Sequence, residues 1–142
     1  MLLTPDKSIC ERRQKIIVSK DQREQRQHRA ENPDQKYEVR HYRLDGDLVS
    51  QTTCCDFLLI NDTTKKAYFI ELKGRHLDDA VPQLEEGFKL FRTELEGCSF
   101  YFRIVASKVR THAVNSPGFR KFKDKWGSRL KYNSRTLKDT LE

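Results

Sequence analysis

Two apolar runs in the middle of the chain are separated by a short polar segment. Residues 54–60 form an apolar run with one charge, Asp56, and residues 67–73 form a second run of apolar and aromatic character. The polar residues 61–66 between the runs are typical of a turn. This pattern predicts two neighbouring strands that form a β-hairpin.

Apolar residues then recur at spacings of four and three, which predicts an amphipathic helix with one core-facing stripe. They are Leu77, Val81, Leu84, Phe88, Phe91 and Leu95. The aromatic and β-branched residues 100–106 predict a further buried strand. Upstream of the hairpin, residues 37–44 alternate and precede the turn pair Asp45 and Gly46, which predicts a strand with at least one exposed face.

The two ends of the chain carry little apolar periodicity. Residues 8–30 are rich in Glu, Gln, Arg and Lys and contain neither Gly nor Pro, which predicts a mostly exposed helix that ends before Asn32 and Pro33. A partly disordered arm is the alternative interpretation of this segment. Residues 107–142 are basic and irregular, with a short helix predicted over residues 119–126.

The predicted order is helix, three strands, helix, strand and a basic extension. Such an order favours an α/β protein with a mixed sheet. The 142 residues suit a single domain with one modest core. We divide that domain into an N-terminal helical segment (1–36), a core (37–106) and a basic C-terminal extension (107–142).

The charge balance favours an anionic partner. The chain has 28 Lys and Arg against 21 Asp and Glu, a net charge of +7. Nucleic acid is the first candidate for such a partner, ahead of the alternative that the protein is merely basic and soluble. The excess is uneven, because residues 120–138 carry eight basic residues and a single acid, Asp124.

Several classes of protein are not supported by the motifs present. No C-x-x-C pair occurs among the four cysteines, Cys10, Cys54, Cys55 and Cys98, so a zinc ribbon is not indicated. Free thiols in a reducing cytoplasm are the simplest expectation. The chain shows no signal peptide and no apolar run of membrane-spanning length. It also lacks an H-x-x-x-H pair, a nucleophile elbow and a Gly-rich phosphate loop.

The predicted hairpin brings charged side chains together on apolar strands. If Ile60 faces Ala67, then Asp56 lies opposite Glu71 with their Cβ atoms about 5 Å apart. Two carboxylates so close repel each other unless a cation lies between them, and Mg²⁺ prefers such oxygen ligands. Lys73 would lie one step along the same face. A structural ion pair between Lys73 and either acid is the alternative.

Asp56, followed after a short hairpin by Glu71, Leu72 and Lys73, and then by an amphipathic helix and a strand, is similar to the PD-(D/E)XK nuclease superfamily. The resemblance covers residues 37–106. It implies a restriction-endonuclease-like αβββαβ core whose central mixed sheet is flanked by helices. It also implies that Asp56, Glu71 and the Leu72 backbone carbonyl bind Mg²⁺ or Mn²⁺, and that Lys73 orients or helps to deprotonate the attacking water.

The same resemblance implies further residues at the site. Members of the superfamily often carry a Glu on the first helix; Glu11, Glu24 and Glu31 are candidates here, with Glu24 preferred. A polar residue on the helix after the Lys is also frequent, and Gln83 occupies that place, with a surface glutamine as the alternative. Two positions depart from common patterns: Cys55 stands where the motif name has Pro, and Gly87 stands where one branch has Tyr.

Residues outside the hairpin are candidates for contacts to nucleic acid. Arg75 and His76 follow the Lys73 strand and are expected either to contact phosphate or to lie in a solvated loop. The basic extension contributes Arg120, Lys121, Lys123 and Lys125. Phe122 and Trp126, at helical spacing, are expected to dock this segment on the core.

The function expected from the sequence is that of a metal-dependent nuclease that hydrolyses phosphodiester bonds in DNA in preference to RNA. The first alternative is a non-catalytic nucleic-acid-binding domain that keeps the nuclease fold. The second is a protein-interaction module whose basic faces meet an acidic partner. A cytoplasmic protein without a membrane partner is expected, and a homodimer is plausible because this small chain lacks a separate recognition domain.

Overall fold

The computed structural model of the chain describes residues 1–21, 26–73 and 76–142, with the backbone alone at Lys73. In these ranges the protein is mixed α/β and has two mixed sheets and three α-helices. The strands are β1 (Ile16–Lys20), β2 (Gln27–Glu31), β3 (Val39–Arg43), β4 (Phe57–Asn61), β5 (Lys66–Lys73), β6 (Ser99–Ala106), β7 (Leu130–Ser134) and β8 (Thr136–Thr140). The helices are α1 (Ala80–Phe91), α2 (Thr111–Val114) and α3 (Pro117–Trp126).

The larger sheet has the strand order β3-β4-β5-β6-β7. Its first three strands are antiparallel neighbours, whereas β5, β6 and β7 run parallel. The predicted hairpin is confirmed together with its register, because Ile60 pairs with Ala67 and Phe57 pairs with Ile70. Every residue of β4 is buried, as expected for a strand covered on both faces.

A layer of helices covers one face of this sheet. The predicted apolar stripe is confirmed, since Leu84 and Phe91 of α1 are fully buried in a cluster that includes Phe69 and Phe102. Helix α3 docks on the same face through Trp126, whose ring centroid lies 4.6 Å from that of Phe102. The docking role predicted for the aromatic residues of the basic extension is therefore confirmed.

The N-terminal segment is not the helix that its composition predicts. Residues 16–20 and 27–31 form the antiparallel strands β1 and β2, and β2 pairs in parallel with β8, which gives the smaller sheet its order β1-β2-β8. The buried positions of these strands alternate as in a half-buried sheet, but several of them are polar: Ser19, His28 and Asp139. Polar residues at buried positions remove the apolar alternation by which a strand is recognised.

The smaller sheet packs on the face of the larger sheet that the helices leave open. Ile17, Ala30 and Leu137 of the smaller sheet share one buried cluster with Leu59 and Ile70 of the larger sheet. The central sheet therefore has helices on one face and the smaller sheet on the other, whereas the sequence predicts a central sheet flanked by helices alone. The C-terminal extension is likewise ordered, because it supplies one strand to each sheet.

Buried polar contacts join the two sheets. Asp139 of β8 accepts a hydrogen bond from Arg103 Nε of β6 at 2.7 Å, and its Oδ2 lies 2.7 Å from His28 Nε2. Burial alone would raise the pKa of Asp139, but the hydrogen bonds from His28 and Arg103 hold it well below its usual range. Between β1 of the smaller sheet and β3 of the larger sheet, the Ser19 hydroxyl lies 2.8 Å from His41 Nε2.

Two findings complete the description of the chain. The cysteines Cys10, Cys54, Cys55 and Cys98 are free thiols rather than disulfide partners. Within the described ranges, the helices are too short and too polar to span a lipid bilayer.

Candidate active site at the edge of the stacked sheets

Asp56 and Glu71 interlock where β4 begins and β5 approaches its end. The Asp56 backbone N–H donates a hydrogen bond to Glu71 Oε1 at 3.1 Å. In return, Asp56 Oδ2 accepts a hydrogen bond from the backbone N–H of Leu72 at 2.8 Å. One oxygen of each carboxylate thus accepts a hydrogen bond from a backbone N–H on the other side of the hairpin. These two bonds fix the orientation of both side chains. The predicted proximity of these two acids is confirmed.

The two carboxylates differ in how far they are buried. Glu71 is 3% exposed and shares the helix-covered face of β5 with Ala67 and Phe69. Asp56 is half-buried and lines a cavity of about 230 Å³. Burying a carboxylate is costly unless hydrogen bonds or a cation compensate for the lost water.

The cavity beside Asp56 contains residues that the sequence did not single out. It is lined by Asp56, Phe57, Leu72, Lys20, Asp21, Arg43 and Asp45. Lys20 and Arg43 are the last residues of β1 and β3, so the two sheets meet at this edge. The sequence predicts only a turn at Asp45 and only an exposed helix surface at Lys20. No local signal identifies them, because their approach to Asp56 depends on the packing of one sheet on the other.

An acid from the N-terminal segment does lie at this cavity. It is Asp21, which follows β1 and also accepts a hydrogen bond from Arg26 at 2.9 Å. The resemblance had implied a Glu on a first helix. Glu11 is exposed, and Glu31 pairs with Lys138 at 2.6 Å on β2. The preferred candidate, Glu24, lies outside the described residues.

Helix α1 packs tightly against the segment that precedes Asp56. A Cβ atom added to Gly87 would lie only 2.6 Å from Cys55 Sγ and 3.3 Å from Phe69. The glycine at this position is therefore required by close packing, which explains why a Tyr cannot stand there. Burial raises the pKa of the Cys55 thiol well above its usual value, so Cys55 is a neutral packing residue.

Gln83 lies one turn before Gly87 on the same helix. Its side chain is half-buried, and its Oε1 is buried without a hydrogen-bond partner among the described residues. The carbonyl end of Gln83 is therefore buried, while the rest of the side chain is partly exposed.

The remaining predicted residues fall into two groups. Lys73 ends β5 and pairs with Ala106 of β6, but its side chain and the whole of Arg75 lie outside the described parts. His76 is exposed just before a 3-10 turn, Leu77–Asp79. The basic side chains of α3 are all exposed and lie on the helix layer: Arg120, Lys121, Lys123 and Lys125.

The donor set at this site suits a hard cation. Carboxylate oxygens are the ligands that Mg²⁺ prefers, and this ion is often held by only one or two carboxylates while it keeps several waters. Asp56 and Glu71 fit that pattern. The described residues contain no cluster of three or more His, Cys, Asp or Glu side chains arranged to hold a metal. A Zn²⁺ centre of the usual three or four ligands is therefore not indicated in this part of the chain.

Comparisons with protein-family models, with curated proteins and with solved structures found no match.

Proposed function

We propose that the protein is a metal-dependent nuclease that hydrolyses phosphodiester bonds. The observation that carries this proposal is the interlocked pair Asp56 and Glu71, of which Asp56 lines a cavity together with Lys20 and Arg43. Two oriented carboxylates supply cation ligands, and the adjacent basic residues supply charge for a phosphate.

Each residue has a defined role in this proposal. Asp56, Glu71 and the backbone carbonyl of Leu72 would hold Mg²⁺ or Mn²⁺, which when bound stabilises the charge that develops on the phosphate. The backbone N–H of Leu72 orients Asp56, and that of Asp56 orients Glu71. Lys20 and Arg43 neutralise the phosphate that enters the cavity.

Lys73 is the proposed proton-handling group. It lies two residues after Glu71 on β5, and the sequence predicts that residues two positions apart on a strand share a face. As an ammonium group it would orient a water molecule beside the two carboxylates, and only as the neutral amine would it accept the proton of that water. Gln83, whose Oε1 has no hydrogen-bond partner among the described residues, would hold a water or a phosphate-bound group from the helix side.

The net charge of +7 supports nucleic acid as the substrate. We propose DNA in preference to RNA. The experiment incubates the purified protein with plasmid, single-stranded DNA, branched DNA and RNA in Mg²⁺ or Mn²⁺. Cleavage should be lost in Asp56→Asn and Glu71→Gln, whose amides can still accept the two backbone hydrogen bonds.

The matched control for these variants is Asp124→Asn, because Asp124 is an exposed acid on α3. It should cut as the native protein does. The proposal is wrong if none of the four substrates is cut, or if Glu71→Gln retains full activity.

A non-catalytic nucleic-acid-binding domain is the second candidate. The observation that favours it is that only two carboxylates interlock at the described site, so the ligand set is small. Titration calorimetry separates the two functions. Mn²⁺ binding that disappears in Asp56→Asn supports the nuclease, whereas salt-sensitive DNA binding without any metal binding supports the second candidate.

A further inference from the structure

A second cleft opens at the same edge of the larger sheet, beyond the ends of β6 and β7. It has a volume of about 620 Å³ and is lined by Ser107, Lys108, Val109, Arg110, Ser134 and Arg135. Its three basic side chains are exposed, and none of them forms an ion pair within the described ranges. The cleft contains no acid to balance them, so it favours an anion.

Arg135 has an unusual backbone conformation at this cleft. Its φ is 64°, in the left-handed region that glycine adopts without cost. Its N–H donates to the carbonyl of Ala106 at 2.8 Å, and its carbonyl accepts from the N–H of Gln27 at 2.9 Å. Arg135 therefore joins the two sheets at their common edge. Left-handed non-glycine residues that the surrounding structure holds in place are concentrated at functional sites.

The sheet register places this cleft beside the candidate active site. Lys73 pairs with Ala106, and Ala106 pairs with Ser134. Ser134 itself lines the cleft, as does Ser107, which follows Ala106. Neighbouring strands are about 4.8 Å apart, so β7 lies about 10 Å from β5. At about 3.4 Å per nucleotide along a stacked strand, that distance corresponds to about three nucleotides.

We propose that Lys108, Arg110 and Arg135 bind the phosphate backbone of a nucleic-acid strand that runs from the Asp56 and Glu71 pair across the ends of β6 and β7. The choice of nucleic acid as the anion rests on the proposed function. The strand then follows the edge where the carboxyl ends of three parallel strands meet, the usual place for a ligand in such sheets.

This path differs from the one predicted from the sequence alone. The basic residues of α3 lie on the helix layer, where Lys121 and Lys125 line a separate cleft with Asp78 and Glu85. Those acids lower the local positive charge. The cleft at the sheet edge combines three basic residues with no acid, so it attracts phosphate more strongly.

The chain offers a matched pair of substitutions for the test. Arg135→Gly removes the guanidinium while glycine accommodates the left-handed backbone. Lys65→Gly makes the same change at a second exposed basic residue with φ 57°, in the turn between β4 and β5 at the opposite edge of the sheet. Both variants lose one positive charge and relieve the same backbone conformation, so they differ in location and in the type of cation removed.

The measurement is the affinity for a fluorescent DNA duplex in EDTA over a series of salt concentrations. Arg135→Gly should weaken binding several-fold and reduce the slope of log K against log salt by about 0.9, the value for one lost phosphate contact. Lys65→Gly should leave that slope unchanged. Lys108→Gln combined with Arg110→Gln should reduce it by about twice as much as Arg135→Gly.

Two results would overturn the proposal. One is an equal slope for Arg135→Gly and Lys65→Gly. The other is a reduced slope in Lys121→Gln with Lys125→Gln but not in the cleft variants, which would place the strand on α3. These binding data are independent of cleavage: if no DNA is cut in Mg²⁺ but Arg135→Gly still weakens binding, the nuclease proposal fails and the cleft proposal stands.

Discussion

The backbone N–H of Asp56 donates a hydrogen bond to Glu71 Oε1 at 3.1 Å, so the start of β4 sets the orientation of an acid on β5. The two residues are 15 positions apart in the sequence. Because the contact involves a backbone group, it survives replacement of the Asp56 side chain. Metal binding and folding can therefore be perturbed separately at this site.

Metal binding should be visible as a change in thermal stability. A ligand that binds only the folded state stabilises it by about 2.7 kcal/mol at one hundred times its Kd. Saturating Mn²⁺ should therefore raise the Tm of the native protein by several degrees, as measured by differential scanning fluorimetry. Asp56→Asn should lose most of this increase, whereas Asp124→Asn should keep it. An equal increase in all three proteins would exclude Asp56 as a ligand.

Gly87→Ala should destabilise the protein and disturb the site. The added Cβ would lie 2.6 Å from Cys55 Sγ, next to Asp56. Overpacking of this kind costs about 1–3 kcal/mol, measurable as a lower urea midpoint. Gly118→Ala in α3 is the control, because a Cβ there meets nothing within 4 Å. Equal urea midpoints in the two variants would contradict close packing at Gly87.

Asp139→Asn should be among the most destabilising single substitutions. It leaves the Arg103 guanidinium buried without its negative partner, and breaking a buried pair in this way costs about 3–5 kcal/mol. Lys131→Gln removes a more distant partner of the same carboxylate, because Lys131 Nζ lies 3.7 Å from Asp139 Oδ1. The Lys131 side chain is 57% exposed. That variant should lose less than about 1 kcal/mol. Urea unfolding of both variants tests the difference, and equal losses would contradict it.

His41 should make the protein less stable as the pH falls. Burial lowers the pKa of His41 to about 4 from the ordinary value of 6.5. Between pH 6.5 and 4 the unfolded chain binds a proton that the folded protein excludes. The free energy of unfolding therefore falls with decreasing pH, by at most about 1.4 kcal/mol per pH unit from this group. At pH above 6.5 the residue is neutral in both states and contributes no pH dependence.

The variant that tests this effect is His41→Gln, because the amide can still bond the Ser19 hydroxyl but does not titrate. Its stability should depend less on pH between 6.5 and 4 than that of the native protein, as measured by urea unfolding at several pH values. His112→Gln, at an exposed position of α2, is the control for the exchange of a histidine for a glutamine. An unchanged slope in His41→Gln would assign the acid sensitivity to other groups.

The hairpin could be predicted because its signal is local. Two buried strands are separated by one short polar turn, and only one register buries both apolar sets. That register then brings Asp56 beside Glu71. The helix α1 was predictable for the same reason, since one stripe of apolar residues packs on one face of the sheet.

The N-terminal strands were not predictable because their stabilising contacts are remote. Their buried positions include Ser19 and His28, which resemble surface residues when only the sequence is considered. His28 Nε2 contacts Asp139, which is 111 positions away, and the Ser19 hydroxyl contacts His41 in the other sheet. Without those partners a segment rich in Gln, Arg and Glu favours a helix.

The sequence by itself determined the carboxylate pair, the Lys73 position and the excess of positive charge. The tertiary structure decided which of the many basic residues lie near that pair. Lys20 and Arg43 reach the cavity, and Arg135 reaches the neighbouring cleft, because two sheets stack with their edges aligned. Contacts between layers depend on pairings far apart in the chain, and no local pattern of residues records them.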